Sequence, residues 1–488
     1  MRDDAGTRCT PQYRLLTEEQ IGEIHLATLE VLERIGMQVL HDDAVGLLRA
    51  GGCRVVDGNV VRFPNWLVEE AIRSAPSRIT IYDREGEEAM RLGGRNSYFG
   101  LGTDLIRTHD PRTGAARPSH LQDVANAARV ADYCENVDFT ASYALPYDVP
   151  TNSMYVECAR ALLENSSKPF FFTAAGRADL AVIVDMASAV AGGHDALRER
   201  PFLIHYSEPT APLRISEGAV DKLMYCADEG IPICFTPGDG LAGSAPVTVA
   251  GGVIQANAEA LGALVLHQTR AKGAPIISGM AVTALDMRTM TFSYGSPEWR
   301  LTNSAFADLY HHYGLPMWST VGSDAHCLDE QAAIEHAIGT LMAALDGAHL
   351  IHDVGYLGQG LLGDPAAIIM CDEIISQVKR ILRGFALNRE TAAVDLMAAV
   401  GPGGTYLGEE HTVRHYRQEL WRPLYANRDT PDIWAAKGAR RYGDIVAAKA
   451  EDVLANHEPR PLPEAILEEV RRIADGASQS LAGTSFVA

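Results

Sequence analysis

Eight times between residues 97 and 358 a short apolar run ends in small, polar or aromatic residues and then gives way to a helical pattern. The runs are 97–100, 137–143, 169–173, 201–206, 231–236, 274–280, 315–320 and 349–353. Their spacing of roughly 30–40 residues is what repeated βα units require, and eight of them close into a barrel. The pattern predicts an α/β chain: a (β/α)8 TIM barrel over 97–362, an N-terminal α+β region over 1–96 and a C-terminal helical extension over 363–488. A capping box, Thr17-Glu18-Glu19-Gln20, opens the first helix of the N-terminal region, and Gly36 stops it. That region is expected to cover the bottom of the barrel or one flank.

In barrels of this kind the loops after the C-terminal strand ends carry the chemistry, so the residues just past each run form one list of candidates. Aromatic residues recur there: Phe99, Tyr143, Tyr147, Tyr206, Phe235, Trp318 and Tyr356, with Tyr294 on the long sixth loop. A ring of such faces suits a quaternary ammonium, which offers no hydrogen bond and is attracted by the ring quadrupole. Each aromatic taken singly is equally a filler of the barrel's interior layers. Polar groups at the same ends are Asp104, Thr173, His205, Glu208, Asp239, Asp286, Asp324, His352 and Asp353, with Arg107, Arg177 and Arg288 nearby.

Several chemistries find little support. The first run ends Phe99-Gly100-Leu101-Gly102-Thr103, which offers no metal ligand; His349 and His352 point to opposite faces of a strand. His411 and His415 share a helix face beside Glu409 and Glu410, without a third ligand that can be placed. The glycine-rich Gly355-Tyr356-Leu357-Gly358-Gln359-Gly360 lacks the lysine of a phosphate loop. Its glycines, like Gly100, Gly102 and Gly279, mark close approaches to backbone, and a large flat cofactor presented by a partner is one way to explain them. The stretch Asp324-Ala325-His326-Cys327-Leu328-Asp329 approaches the D-x-H-x-x-G signature of corrinoid-binding modules, but Asp329 stands where glycine belongs, and no corrinoid is assigned to this chain.

The 42 basic and 63 acidic residues give a formal charge of −21, which argues against nucleic acid or an anionic membrane as partner. Eight scattered cysteines form no C-x-x-C pair and read as reduced. Residues 1–14 are charged and polar without an apolar leader segment, and no run of roughly 18 uninterrupted apolar residues occurs. A cytoplasmic location is the expectation, with a homo-oligomer possible.

In order and spacing, seven blocks resemble the trimethylamine methyltransferase family of corrinoid-dependent methyltransferases. They are residues 17–39, 206–213 (YSEPTAPL), 242–248 (AGSAPVT), 284–297 (ALDMRTMTFSYGSP), 322–332 (GSDAHCLDEQA), 349–360 (HLIHDVGYLGQG) and 402–420 (PGGTYLGEEHTVRHYRQEL). The resemblance runs over nearly the whole chain. It implies a barrel enzyme that moves a methyl group from an amine to the Co(I) corrinoid of a separate carrier protein, with no cofactor held by this chain itself. It also implies the branch without pyrrolysine, which includes glycine betaine methyltransferases, because the chain reads through with standard residues; the stretch 315–329 is where the special residue is expected to be replaced.

A quaternary ammonium is already cationic and leaves as a neutral amine, so attack on its methyl needs positioning and no general acid. No catalytic acid or base is therefore named. The expected substrate-binding set is Tyr206, Trp318, His352, His205, Tyr143, Phe99, Tyr356, Arg107 and Arg288, with aromatic faces around the cation and no carboxylate in contact. A carboxylate would stabilise the ground state more than a transition state from which positive charge is draining. His352 is the first candidate for the anionic end of a betaine, with His205, Arg107 and Arg288 as others; a neutral core histidine is the competing reading of His352. Two other functions stay open: a metal-dependent barrel hydrolase and a non-catalytic betaine-binding protein.

Overall fold

The computed structural model describes residues 8–481; the first seven residues of the charged N-terminus lie outside the described residues. Each of the eight apolar runs contains a strand. In chain order these are β1 (Tyr98–Phe99), β2 (Thr140–Ala141), β3 (Phe170–Phe172), β4 (Leu203–Ser207), β5 (Ile233–Phe235), β6 (Ile276–Ser278), β7 (Trp318–Thr320) and β8 (Leu350–His352). Parallel pairing joins β2 through β6, β7 to β8, and β8 back to β1. Single parallel bridges, Gly100 with Phe139 and Ser278 with Met317, complete the ring. Such strands are covered on both faces, which is why they read as continuous apolar runs without alternation.

Eight helices alternate with the strands: α1 (Leu121–Tyr133), α2 (Met154–Asn165), α3 (Arg177–Ala191), α4 (Glu217–Glu229), α5 (Val249–Arg270), α6 (Pro297–Tyr313), α7 (Glu330–Asp346) and α8 (Pro365–Leu382). α8 packs between α7 and α1, so the ring closes at Leu382, beyond the boundary of 362 expected from the sequence. That boundary cut between the last strand and its own helix. α5 is apolar and long enough to cross a membrane by length and composition, but 72% of its most apolar window is buried inside the fold. Asn257 and Glu259 in its middle hydrogen-bond to other parts of the chain.

The N-terminal region lies along one flank of the ring and at its bottom. The helix Glu18–Glu30, closed at its start by the Thr17–Gln20 capping box, lies against α5 and α6, and the helix Asn65–Ser74 lies against α5. The hairpin Ile79–Tyr82 with Glu88–Leu92 sits under the barrel: the Tyr82 amide donates to Pro201 O, just before β4, at 2.8 Å. One link reaches the other end. Arg214–Ile215, in the loop after β4, pairs in parallel with Met37–Val39 and so joins the N-terminal sheet. Beyond α8, the helix Tyr442–Asn456 packs on α8 and α1, and Glu464–Leu481 on α2 and α3.

Candidate active site

Strand parity decides which strand-end residues can meet, because successive side chains point to opposite faces. On β3, Phe171 points into the barrel, where its ring lies 4.8 Å from His352 and 5.2 Å from Tyr206; Phe170 and Phe172 point out towards the helices. Tyr206 of β4, Trp318 of β7 and His352 of β8 all point inward. The Tyr206 ring stacks on His352 at 5.6 Å and on Trp318 at 6.1 Å, and Trp318 and His352 are 5.5 Å apart. Three of the expected substrate residues thus form one cluster inside the barrel, of which Tyr206 alone lines the adjoining cavity. Gly279 makes it possible: a Cβ there would lie 2.4 Å from the Trp318 carbonyl oxygen.

A cavity of about 710 Å³ opens beside Tyr206, lined among others by Asp104, Tyr155, Thr173, Glu208 and Lys222 and by the first residues of α4. It runs from buried Tyr206 and Ala219 out to exposed Glu217. The Tyr206 hydroxyl donates to Glu208 and accepts from Thr236 Oγ1 at 3.0 Å. Asp104 accepts from Thr173 Oγ1 at 2.8 Å. Both carboxyls are held above the usual carboxylate range, chiefly by the loss of solvent around them, and the Asp104 charge raises Glu208 further. Among the described residues neither carboxylate has a cationic side chain within ion-pair distance. The Lys222 ammonium donates to Ala174 O at 2.9 Å, and burial lowers its pKa.

Carboxylates thus stand in the cavity wall, where none was expected in contact with the cation, and six members of the expected binding set lie elsewhere. His205, next to Tyr206 in β4, faces the helix layer; it is fully buried, its Nδ1 is 3.2 Å from Phe172 O, and burial with the nearby Lys222 charge drives its pKa well down. Phe99 also points outward, under the Lys379 ammonium at 5.6 Å. Arg107 is exposed on a hairpin and donates to Ala116 O. Arg288 is exposed at a hairpin tip and pairs with Asp286 at 3.2 Å. Tyr143 and Tyr356 meet edge to face at 6.0 Å, and Tyr356 donates to Tyr143 O at 2.8 Å; they pack against each other and do not line the cavity.

His352 is inside the cluster, yet it does not line the cavity either. Its Nδ1 lies 3.0 Å from Asp353 Oδ1 without the alignment of a hydrogen bond, and both ring nitrogens are buried and unbonded. Glycines near the mouth make room for the protein's own rings: a Cβ on Gly102 would fall 2.0 Å from Asp353 Oδ1 and 2.5 Å from the Tyr356 ring. The near-corrinoid motif has a structural job. Asp324 accepts from Ser293 Oγ and from the amides of Tyr294 and Gly295, and Asp329 caps α7 through the Ala332 amide at 3.1 Å.

Strand-end reading missed Tyr155 and Lys222. Both are helix residues, on α2 and α4, that lean over the mouth, and nothing in the strand pattern points to them. A second cavity, of about 510 Å³, lies between the hairpin turn around Asp110, the starts of α7 and α8 and the helix Tyr442–Asn456, and shares no lining residue with the first. The His411 and His415 rings lie 4.4 Å apart, tilted, on an exposed helix, where His415 pairs with Glu390.

A sequence profile of the trimethylamine methyltransferase (MTTB) family matches residues 4–480. The chain is 35% identical over 464 residues to a trimethylamine methyltransferase of Desulfitobacterium hafniense, covering 94% of this chain and 93% of that one. It is 31% identical over 457 residues to a glycine betaine methyltransferase of the same species, covering 93% and 94%. The crystal structure of the Methanosarcina barkeri monomethylamine methyltransferase is similar in fold, with a TM-score of 0.52 at 10% identity over 97% of this chain and 90% of that one. The chain therefore belongs to the trimethylamine methyltransferase family, as a methyltransferase built on a (β/α)8 barrel.

Proposed function

We propose that this enzyme takes a methyl group from a quaternary amine, glycine betaine or a related betaine, and passes it to the corrinoid of a separate carrier protein. One observation carries the reading. The Tyr206 ring, backed by Trp318 and His352, shares a cavity wall with two carboxylates that have no cationic partner among the described residues. Carboxylates without an ion-pair partner attract a cation, and the aromatic face beside them accepts one that cannot donate a hydrogen bond. The named relatives act with the same methyl chemistry by their names, one on trimethylamine and one on glycine betaine.

The carrier's Co(I) corrinoid supplies the nucleophile that accepts the methyl group. The chain's own residues do the rest. Tyr206 presents its face to the ammonium, and the hydroxyl stays tied to Glu208 and Thr236, which fixes the ring plane. Asp104 and Glu208 attract the cation into the cavity, and their raised pKa values temper the negative charge it meets. Strong neutralisation by a bare carboxylate pair would hold the ground state too firmly, so this tempering favours turnover. As the methyl carbon–nitrogen bond breaks, its electron pair stays on nitrogen, which departs as a neutral tertiary amine. No proton has to move. The cavity opens past Glu217 to the exterior, which suits an acceptor brought by a second protein.

The test is to incubate the purified protein with reduced free cobalamin and a panel of quaternary amines. Methylcobalamin is followed by its absorbance and the demethylated amine by mass spectrometry. Transfer from at least one quaternary amine is expected. Transfer from trimethylamine alone, or binding of a betaine without any transfer to free cobalamin or a carrier, overturns the reading.

A further inference from the structure

Lys222 is the unexplained charge of this site. It stands in the second turn of α4, and its ammonium, with three donors, makes one hydrogen bond, to Ala174 O. Among the described residues no carboxylate comes within ion-pair distance of it: Asp104, Glu208 and Asp179 act on its charge only from farther off, and Asp221 in the same wall is paired with His41. A partly buried ammonium left with one neutral acceptor is a costly arrangement, and such a group in a cavity marks a place for an anion. Its neighbours agree. Ser216, Glu217, Gly218 and Ala219, the cap and first turn of α4, line the same cavity, and the cap residue Ser216 makes no side-chain hydrogen bond to that turn. The amides of a first turn point outward from a helix with partial positive charge, which adds to the ammonium.

The two signs of charge are held by adjacent residues at the end of β3. Thr173 Oγ1 fixes Asp104, and the Ala174 carbonyl fixes Lys222. A ligand with one charge would satisfy half of this wall; a zwitterion satisfies all of it. We propose that Lys222, with the first turn of α4, holds the carboxylate of the substrate while Tyr206, Glu208 and Asp104 face its quaternary ammonium, and that this pairing selects carboxylated quaternary amines over uncharged-tail analogues. The inference rests on the function proposed above and names the residue that sets its specificity. It moves the anionic end from His352, whose nitrogens are shut inside the ring cluster, to a cation in the cavity wall.

The experiment measures binding by calorimetry of glycine betaine, choline and tetramethylammonium to the full chain and to Lys222→Gln and Lys222→Arg, with melting temperatures as a check on folding. Choline replaces the carboxylate by a hydroxymethyl group and keeps the cation. Wild type is expected to prefer glycine betaine. Lys222→Gln should weaken glycine betaine about 10- to 100-fold, the scale of hydrogen bonds to charged groups, and leave choline within about twofold. Lys222→Arg should restore most of the loss. In wild type alone, betaine affinity should also fall on the alkaline side as the lysine gives up its proton, and choline affinity should not follow it. An equal fall for betaine and choline in a well-folded Lys222→Gln, or no fall for either, overturns the assignment. If wild type binds none of the three and transfers a methyl group from no quaternary amine of the panel, the function itself is refuted; if it binds betaine and choline alike, only the role of Lys222 is.

Discussion

Tyr206 joins two environments: its ring packs on Trp318, His352 and Phe171, and the residue also lines the cavity. Replacing it by Leu should weaken quaternary amine binding by about 0.5–2 kcal/mol, the range for a lost ring face, while Tyr206→Phe should be mild; titration calorimetry with tetramethylammonium reads both. His352 behaves differently. It is wedged between Phe171 and Tyr206, so His352→Ala should open a void and cost about 2–4 kcal/mol of stability, and should impair glycine betaine and tetramethylammonium alike. Loss confined to the carboxylated ligand would return the anionic end to His352. The sequence leaves those two roles of His352 open, because a strand-end position fixes a face and not what the ring touches. With His205 and Phe99 the information was present. Consecutive residues of a strand cannot share a face, so the periodicity that turns Tyr206 inward turns His205 out. Treating the strand ends as a single set passes over that rule.

At the scale of elements, the mouth is assembled from loops pinned to one another beneath the surface. Glu259 of α5 accepts the Leu213 amide of the loop after β4 at 2.8 Å, and Asp239, in the loop after β5, shares the Gln255 side-chain amide with it. Asp239 Oδ2 and Glu259 Oε2 are buried without partners. Burial raises both carboxyls, and Asp239 raises Glu259 further by its charge. Unfolded, the two groups lose their protons near pH 4; folded, they keep them to higher pH. Stability therefore falls as pH rises from about 4 through the folded pKa values, then levels off. Glu259→Gln keeps one acceptor, supplies a donor for the unpaired oxygens and removes a charge. It should raise stability by on the order of 1–2 kcal/mol at pH 8.5 and by less at pH 5, as read by denaturant unfolding at both values. An equal effect at the two pH values would mean that the pair carries no extra proton. Helix-borne Tyr155 and Lys222 stay hidden from sequence for a related reason: a helix pattern tells which face is buried, not which turn overhangs the mouth.

For the whole molecule, the eight-strand rhythm was fully legible because a closed parallel sheet needs apolar residues on both faces and regular crossovers between them. The wrapping of the ring was not, since amphipathic helices do not state their partners. The helix Glu464–Leu481 lies on α2 and α3, and its Val470 is fully buried there. Val470→Asp should cost about 2–4 kcal/mol in denaturant unfolding, as an unpaired charge in an apolar seam must. A cost under 0.5 kcal/mol would show that this helix is not part of the cooperative unit.

The parallel pairing of Arg214–Ile215 with Gln38–Val39 has a consequence for how such an enzyme diversifies. Between Glu208 in the cavity wall and this outlying sheet run only a few residues, followed at once by Ser216 and the first turn of α4. The groups proposed to meet the substrate's two ends are therefore moored, through one short segment, to a sheet that lines no part of the cavity. A mutation in the first sixty residues can shift where Glu208 and α4 stand and leave every barrel residue as it was. Substrate choice is in that sense heritable through the outskirts of the molecule, and exchanging this N-terminal sheet between relatives is a way to move preference without redesigning a pocket.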